Sequence, residues 1–273
     1  MDILDEIQKQ YVNFSQKEKQ IAMYILQKNN EIKNINIGKL AAQTGTSSAT
    51  ITRFCRKIGC ESFVDMKIQI SAAEQDGIPL ESSDIFDSVY SYYNRVIDRT
   101  KKNIDKEELE RVITALKDAQ RIFIYGVGSS GLTAMEMTQR LLRMGFNVSG
   151  ITDSHMMLIN STITKEKDLV IGISTSGKTI EVLNAVKTAK NNGSKILSMT
   201  SFSESELAHI SDYQMFVYNS LFIDNKRFVN SQFAIMYLVD IISMKLLEDD
   251  QYSYVMSQTV DAIIKKANEK TEE

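Results

Sequence analysis

The sequence predicts a two-part chain, an all-helical N-terminal bundle containing a helix-turn-helix followed by a three-layer α/β domain around a central parallel sheet. Three observations predict it. In successive segments between Ser15 and Leu116 apolar residues recur at helical spacing. From Arg121 onward, short and nearly continuous apolar runs alternate with helical patterns, as strands covered on both faces require. At 273 residues the chain also exceeds one domain of about 100 to 150 residues, so two are expected.

The first helix is expected from Ser15 to Gln27, where Ile21, Ala22, Ile25 and Leu26 share a face and Ser15 stands three before Glu18 in a capping box. Asn29 and Asn30 break that pattern. Ile37 to Thr46 then reads as a short helix stopped at Gly45, and Ser47 caps a second helix running from Ser48 to Ile58. Its inner side is Ile51, Phe54 and Cys55, which leaves Ser48, Thr50, Arg53 and Lys57 outward or partly so. This is helix-turn-helix spacing, in which the second helix enters the major groove. Gly59 closes it, and Phe63, Met66 and Ile70 form another helical stripe beside Lys67. Periodicity lapses from Glu74 to Asp84 around Pro79, the only proline, and the domain linker is placed there. A long amphipathic helix follows to about Lys102, with Val89, Tyr93, Val96 and Ile97 as its apolar side, and then a helix from Lys106 to Leu116.

The second domain is expected to carry strands at Ile122–Tyr125, Asn147–Ser149, Leu169–Ile173, Lys195–Met199 and Gln214–Val217. Helices are expected at Leu132–Arg143, Met156–Ser161 and Ile180–Asn191, with a short turn near Leu207 and two closing helices from about Asn230 to Leu247 and Tyr252 to Lys266.

Composition narrows the function classes. With 43% hydrophobic and 25% charged residues the chain has an ordinary globular balance, which argues against long disorder. The most apolar stretch, Phe233 to Leu247, is interrupted by Asp240 and Lys245, so a buried helix is expected there and not a membrane span. The acidic start, Met1 to Glu6, lacks the basic and apolar regions of a signal peptide, making the cytoplasm the expected compartment. Cys55 and Cys60 have neither histidine nearby, so free thiols are expected, with no metal and no cofactor. The net charge of −3 divides unevenly: residues 1 to 75 hold ten Lys or Arg against eight Asp or Glu, +2, leaving −5 for the remainder. Between Ile37 and Ile70 five basic residues face two acidic ones, a local excess that suits DNA but also describes a solvated face.

The chemistry is concentrated in two turns. Gly126-Val127-Gly128-Ser129-Ser130-Gly131 follows the first expected strand, and Ser174-Thr175-Ser176-Gly177-Lys178-Thr179 follows the third. Each sets hydroxyls and unhindered backbone N–H groups where a strand hands over to a helix, the geometry that captures a phosphate. Gly126 and Gly128 permit the tight turn; Ser130, Ser174, Ser176 and Thr179 supply hydroxyls; Lys178 either adds charge or is a surface lysine. A single such turn is more often an ordinary connection, but two in series favour a phosphorylated ligand. A dinucleotide or ATP is not the expected ligand. For acid–base work Glu181 is the best-placed residue, then His155, then Glu136, yet no second constellation can be read from spacing and enzymatic activity is not expected. In the helical pair, Thr50 and Arg53 are the candidate base contacts, while Ser47, Ser48, Lys57 and Lys67 are candidate contacts to DNA phosphates.

These residues resemble a known combination. Glu18-Lys19-Gln20-Ile21-Ala22, Lys39-Leu40-Ala41 and the run Ser47 to Gly59 resemble the N-terminal domain of the RpiR family of bacterial transcriptional regulators. The two turns, with Ile180-Glu181 and the later Ala208-His209-Ile210-Ser211-Asp212, resemble the sugar isomerase (SIS) domain of those regulators. The resemblance implies a DNA-binding domain over residues 1–76, a linker and connecting helix over 77–104, and a SIS domain over 105–273 that senses a phosphorylated sugar or amino sugar. It implies that Ser130, Ser174, Ser176 and Thr179 hold the phosphate, with Gly128 and Ser129 in the same turn, and that Glu181 faces the sugar. Double-stranded operator DNA is the implied partner and a homodimer the expected assembly, with a tetramer as the alternative. Many members have Ser-Arg where this chain has Ser231-Gln232, so a charge contact at the far edge of the ligand is lost and effector identity stays open. The rival readings are a sugar-phosphate isomerase with an accessory helical domain and an adaptor that uses its SIS domain only for assembly.

Overall fold

A computed structural model of the chain describes residues 2–73, 84–222 and 229–269. The linker expected at 74–84 lies, except for Asp84, outside the described residues. The chain divides into two compact units that interleave in sequence. The first comprises Met1–Asn103 with Ser201–Ser205 and Phe216–Ala234, and the second Ile104–Thr200, Glu206–Met215 and Ile235–Glu273.

The first unit opens on a helix that the sequence reading did not anticipate, α1 (Ile3–Gln10). Its eight residues are too few to show a clear period, but Asp2 and Asp5 form a capping box, and Ile3, Leu4 and Ile7 are buried. A 3₁₀ turn at Tyr11–Asn13 leads to α2 (Gln16–Gln27), whose Ser15–Glu18 capping box forms as its spacing implies. Where Asn29 and Asn30 interrupt the pattern the chain re-forms a single turn, α3 (Asn29–Ile32). The helix-turn-helix follows as α4 (Ile37–Gln43) and α5 (Ser48–Lys57), with Ile51, Phe54 and Cys55 fully buried on the inner side of α5. Helix α6 (Phe63–Ala73) buries Met66 and Ile70 against it.

Helix α7 (Ile85–Asn103) corrects the hydropathy pattern. Its buried side is Ser88, Ser91, Tyr92, Val96 and Thr100, whereas Val89, Tyr93 and Ile97 are only half-buried. Hydroxyls decide the rotation. Tyr92 donates to the Ser220 carbonyl at 3.2 Å, and the Tyr218 N–H donates to Thr100 Oγ1 at 3.1 Å, so polar residues that pattern reading sets outside are satisfied inside.

The second unit begins with α8 (Lys106–Asp118), capped by Asp105. It continues as β1 (Arg121–Tyr125), α9 (Ser129–Arg143), β2 (Val148–Ile151), α10 (Ser154–Thr162), β3 (Asp168–Ile173), α11 (Ile180–Asn191) and β4 (Lys195–Thr200). The short α12 (Glu206–His209), β5 (Tyr213–Phe216), α13 (Phe233–Leu246) and α14 (Asp250–Glu269) complete the described chain. Every strand falls within two residues of its sequence-based position because each is a short apolar run bounded by turn residues. The five strands form one sheet in the order β2-β1-β3-β4-β5, with β2, β1, β3 and β4 mutually parallel. All six residues of β3 are buried, as a central strand covered on both faces must be. No described helix is long and apolar enough to cross a membrane.

Candidate functional site

Strand order locates the first candidate site. From β1 the chain moves outward to β2 and then returns past β1 to β3, so the connections leaving β1 and β3 diverge. In an open parallel sheet, ligands occupy the crevice beyond the carboxyl ends of strands at such a switch point. Gly126–Gly131 leaves β1 there and Ser174–Thr179 leaves the adjacent β3, with Tyr125 paired to Gly172 across the two strands. The fold therefore brings the two turns side by side at one end of the sheet.

The first turn is built on close approach. A Cβ on Gly126 would lie 2.5 Å from the Ser130 carbonyl oxygen and 3.0 Å from the Gly131 nitrogen, so only glycine lets the end of β1 meet the first turn of α9. Gly128, the N-cap of α9, has φ +60° and ψ −130°, but a Cβ there would meet nothing within 4 Å. The backbone at Gly128 is thus open to the crevice, Ser129 is exposed, and Ser130 is 9% exposed at the start of α9.

The second turn is organised around Ser174. Its Oγ accepts from the Gly177 N–H at 3.1 Å and lies 2.8 Å from Thr179 Oγ1 and 3.5 Å from Ser176 Oγ. Ser174 is only 2% exposed, so much of its hydrogen-bonding capacity goes to shaping the turn. Ser176 is exposed and accepts from the Lys178 N–H at 3.2 Å. Thr179 is the N-cap of α11 without a side-chain capping bond. Glu181, in the first turn of α11, is exposed. Of the other acid–base candidates, Glu136 is ion-paired with Arg140 at 2.8 Å and His155 is exposed on α10. No group of three metal-ligating side chains occurs among the described residues. Gln232 is buried and belongs to the first unit.

The second candidate site lies on α5. Ser47 caps it, accepting from the Thr50 N–H at 3.2 Å, and Ser47 Oγ lies 2.9 Å from Thr50 Oγ1. Arg53 Nη2 donates to Thr50 Oγ1 at 3.4 Å, and Ser47, Ser48 and Arg53 are exposed. Thr50 and Arg53 share a groove of about 410 Å³ with Ser15, Gln16, Lys17 and Glu18 at the start of α2. Gln16 and Lys17 were missed in sequence because nothing local relates α2 to α5 across that groove. Lys57 and Lys67 have internal partners. Lys57 pairs with Glu18 at 3.0 Å and lies over the Phe14 ring, while Lys67 donates to the Ile35 carbonyl at 3.1 Å. Partial burial pushes the Glu18 carboxyl up, but the Ser15 N–H and Lys57 outweigh it and hold Glu18 below the usual carboxylate range, so Glu18 is ionised at neutral pH.

Two family models match. One, for the helix-turn-helix domain of the rpiR family, matches residues 1–77, and the other, for the SIS domain, matches residues 115–231. An uncharacterized HTH-type transcriptional regulator of Caldanaerobacter subterraneus subsp. tengcongensis is 31% identical over 264 residues, 93% of each chain. A second, from Clostridium perfringens, is 29% identical over 276 residues, 97% of each chain. Among solved structures, the Vibrio vulnificus NanR protein complexed with ManNAc-6P matches with 25% identity and a TM-score of 0.61, over 96% of this chain and 98% of that one. The two relatives from Caldanaerobacter and Clostridium, matched over nearly their whole length, are named as transcriptional regulators.

Proposed function

Because the chain belongs to the RpiR family, with its helix-turn-helix and SIS domains, we propose that it is a transcriptional regulator whose operator affinity is set by a phosphorylated sugar or amino sugar. The observation that carries the reading is the pairing of two glycine- and hydroxyl-rich turns at the switch point of the sheet, in a chain whose helix α5 exposes Ser47, Ser48 and Arg53. The V. vulnificus protein, similar over nearly the whole chain, was solved with ManNAc-6P, which supports an amino-sugar phosphate as the ligand class.

In the crevice, the N–H groups around Gly128 and Ser129 and the hydroxyls of Ser130, Ser176 and Thr179 receive the phosphate, while Ser174 holds the second turn in shape. Several donors satisfy a dianion here without a cluster of full charges. Glu181 accepts from sugar hydroxyls. On DNA, Arg53 and Thr50 read base edges and Ser47 and Ser48 contact phosphates; Lys17, which lines the same groove, takes the backbone contact in place of Lys57, which is committed to Glu18. A homodimer presents two copies of α5 to a two-fold operator.

The test is operator selection from genomic fragments by the full chain, repeated with N-acetylmannosamine 6-phosphate, glucosamine 6-phosphate, glucose 6-phosphate and fructose 6-phosphate. Enrichment of discrete fragments, with at least one sugar phosphate changing their retention, is the expected result. Retention of no fragment removes the DNA-reading role; retention indifferent to all four removes the sensing role.

A further inference from the structure

Segments 201–205 and 216–234, although they follow β4 and β5, belong with the helices of the DNA-reading unit. Two sets of contacts hold them there. Gln8 of α1, 6% exposed, donates through Nε2 to the carbonyls of Ser201 at 3.0 Å and Val217 at 3.2 Å, and its Oε1 accepts from the Asn219 N–H at 3.3 Å. One buried amide thus gathers the chain leaving β4 and the chain leaving β5. Beside it, Phe202 stacks on Tyr11 with centroids 5.7 Å apart, Tyr11 meets Phe14 edge-on at 6.3 Å, and Phe14 meets Phe54 at 5.2 Å. Phe54 is one of the three fully buried inner residues of α5, one position from Arg53.

The other end of segment 201–205 begins at the phosphate turn. Within the second unit, the Ser174 N–H donates to the Met199 carbonyl at 3.1 Å and Thr200 Oγ1 donates to the Thr175 carbonyl at 3.3 Å. Residues 199 and 200 are therefore tied to the turn, and the next peptide bond enters the segment that Gln8 and Tyr11 hold. A shift of that segment leaves the buried Gln8 amide without its carbonyls, and close-packed rings rearrange between discrete packings and do not deform smoothly.

Resting on the sugar-phosphate reading above, we propose that Gln8 and the ring series Phe202–Tyr11–Phe14–Phe54 form the relay through which occupancy of the Ser174–Thr179 turn resets helix α5. These are positioning residues, since none of them lies in the turns or on the exposed side of α5.

The test measures operator affinity of the full chain with and without whichever of the four sugar phosphates moves the wild-type protein, together with the affinity for that sugar phosphate alone. In the wild type a typical coupling changes operator affinity about 5- to 150-fold. In Tyr11→Leu and Phe202→Leu that change falls to about twofold or less while each separate affinity stays within about threefold of wild type, and Tyr11→Phe, which keeps the ring, retains the full change. Gln8→Met keeps the volume of the side chain and serves as the second route should removal of a ring abolish cooperative unfolding; it too loses the change. If the wild type responds and the leucine and methionine variants respond equally, the relay is overturned and the sensing function stands. If no sugar phosphate moves the wild type, the sensing function and the relay fall together.

Discussion

Replacing Gly126 by alanine tests whether the first turn is built by contact or merely tolerates glycine. The new Cβ would sit 2.5 Å from the Ser130 carbonyl oxygen and 2.8 Å from its carbonyl carbon, and both belong to backbone that cannot swing aside as a side-chain tip would. Reaching even 3.0 Å moves the end of β1 and the first turn of α9 apart by about 0.5 Å, and overpacking of this kind costs about 1–3 kcal/mol. In a domain of this size that lowers Tm by roughly 2–12 °C. The same movement displaces Ser130 and the N–H groups at the start of α9, so affinity for a sugar phosphate falls with stability. Gly128→Ala is the matched control. Its Cβ enters open space, so its cost is conformational only, about 1–3 kcal/mol for a side chain held at φ +60°, without the displacement of α9. Differential scanning calorimetry with calorimetric titration of the ligand measures both effects. An unchanged Tm in Gly126→Ala, or equal ligand affinity in wild type and Gly126→Ala, refutes the argument from close approach.

Three further outcomes follow from the site geometry. Ser176→Ala removes an exposed donor and is expected to leave stability within about 0.5 kcal/mol while weakening sugar-phosphate binding by about 1.5–3 kcal/mol, tenfold or more. Ser174→Ala instead removes a buried hydroxyl that bonds the Gly177 N–H and the Thr179 hydroxyl, although the Gly177 N–H keeps the Ser174 carbonyl, and destabilises by about 0.5–1.5 kcal/mol in chemical denaturation; the reverse ranking of these two variants in stability contradicts their assigned parts. Arg53→Ala is expected to cost about 1–3 kcal/mol at the operator and relax specificity, whereas Lys57→Ala, its charge already met by Glu18, changes the salt dependence by less than about one contact; fluorescence anisotropy over a salt series separates them, and a larger loss from Lys57→Ala sinks the assignment. Burial pushes the Cys55 thiol up to about 12 and the Cys60 thiol up to about 11. Since the thiolate is the reactive form and its fraction falls as the pKa rises above the working pH, native protein at pH 8 is expected to react with iodoacetamide about 100-fold more slowly than urea-unfolded protein, and comparable rates would falsify the buried placement.

What the sequence determined by itself was short-range, though not all of it, since α1 and its Asp2–Asp5 capping box escaped the pattern. Ser15 and Glu18 announce the start of α2, Ile51, Phe54 and Cys55 name the inner side of α5, and five apolar runs mark the strands, because helical period, capping and strand length are set by residues within a few positions of one another. The two turns were legible for the same reason, and so was their place at strand ends. Only the tertiary structure decided that they are neighbours, since that follows from the order β2-β1-β3 and not from any spacing along the chain. It also decided which polar groups are spent internally. Lys57 reads as an outward residue of α5 and Gln8 carries no local signal, yet their partners lie 39 and 193 positions away, at Glu18 and Ser201. The buried side of α7 turned on hydroxyls whose acceptors and donors, at Ser220 and Tyr218, stand more than a hundred residues downstream. A hydrogen bond or ring stack across such a separation is fixed by where the folded backbone brings the two groups, and a one-dimensional pattern carries no trace of it.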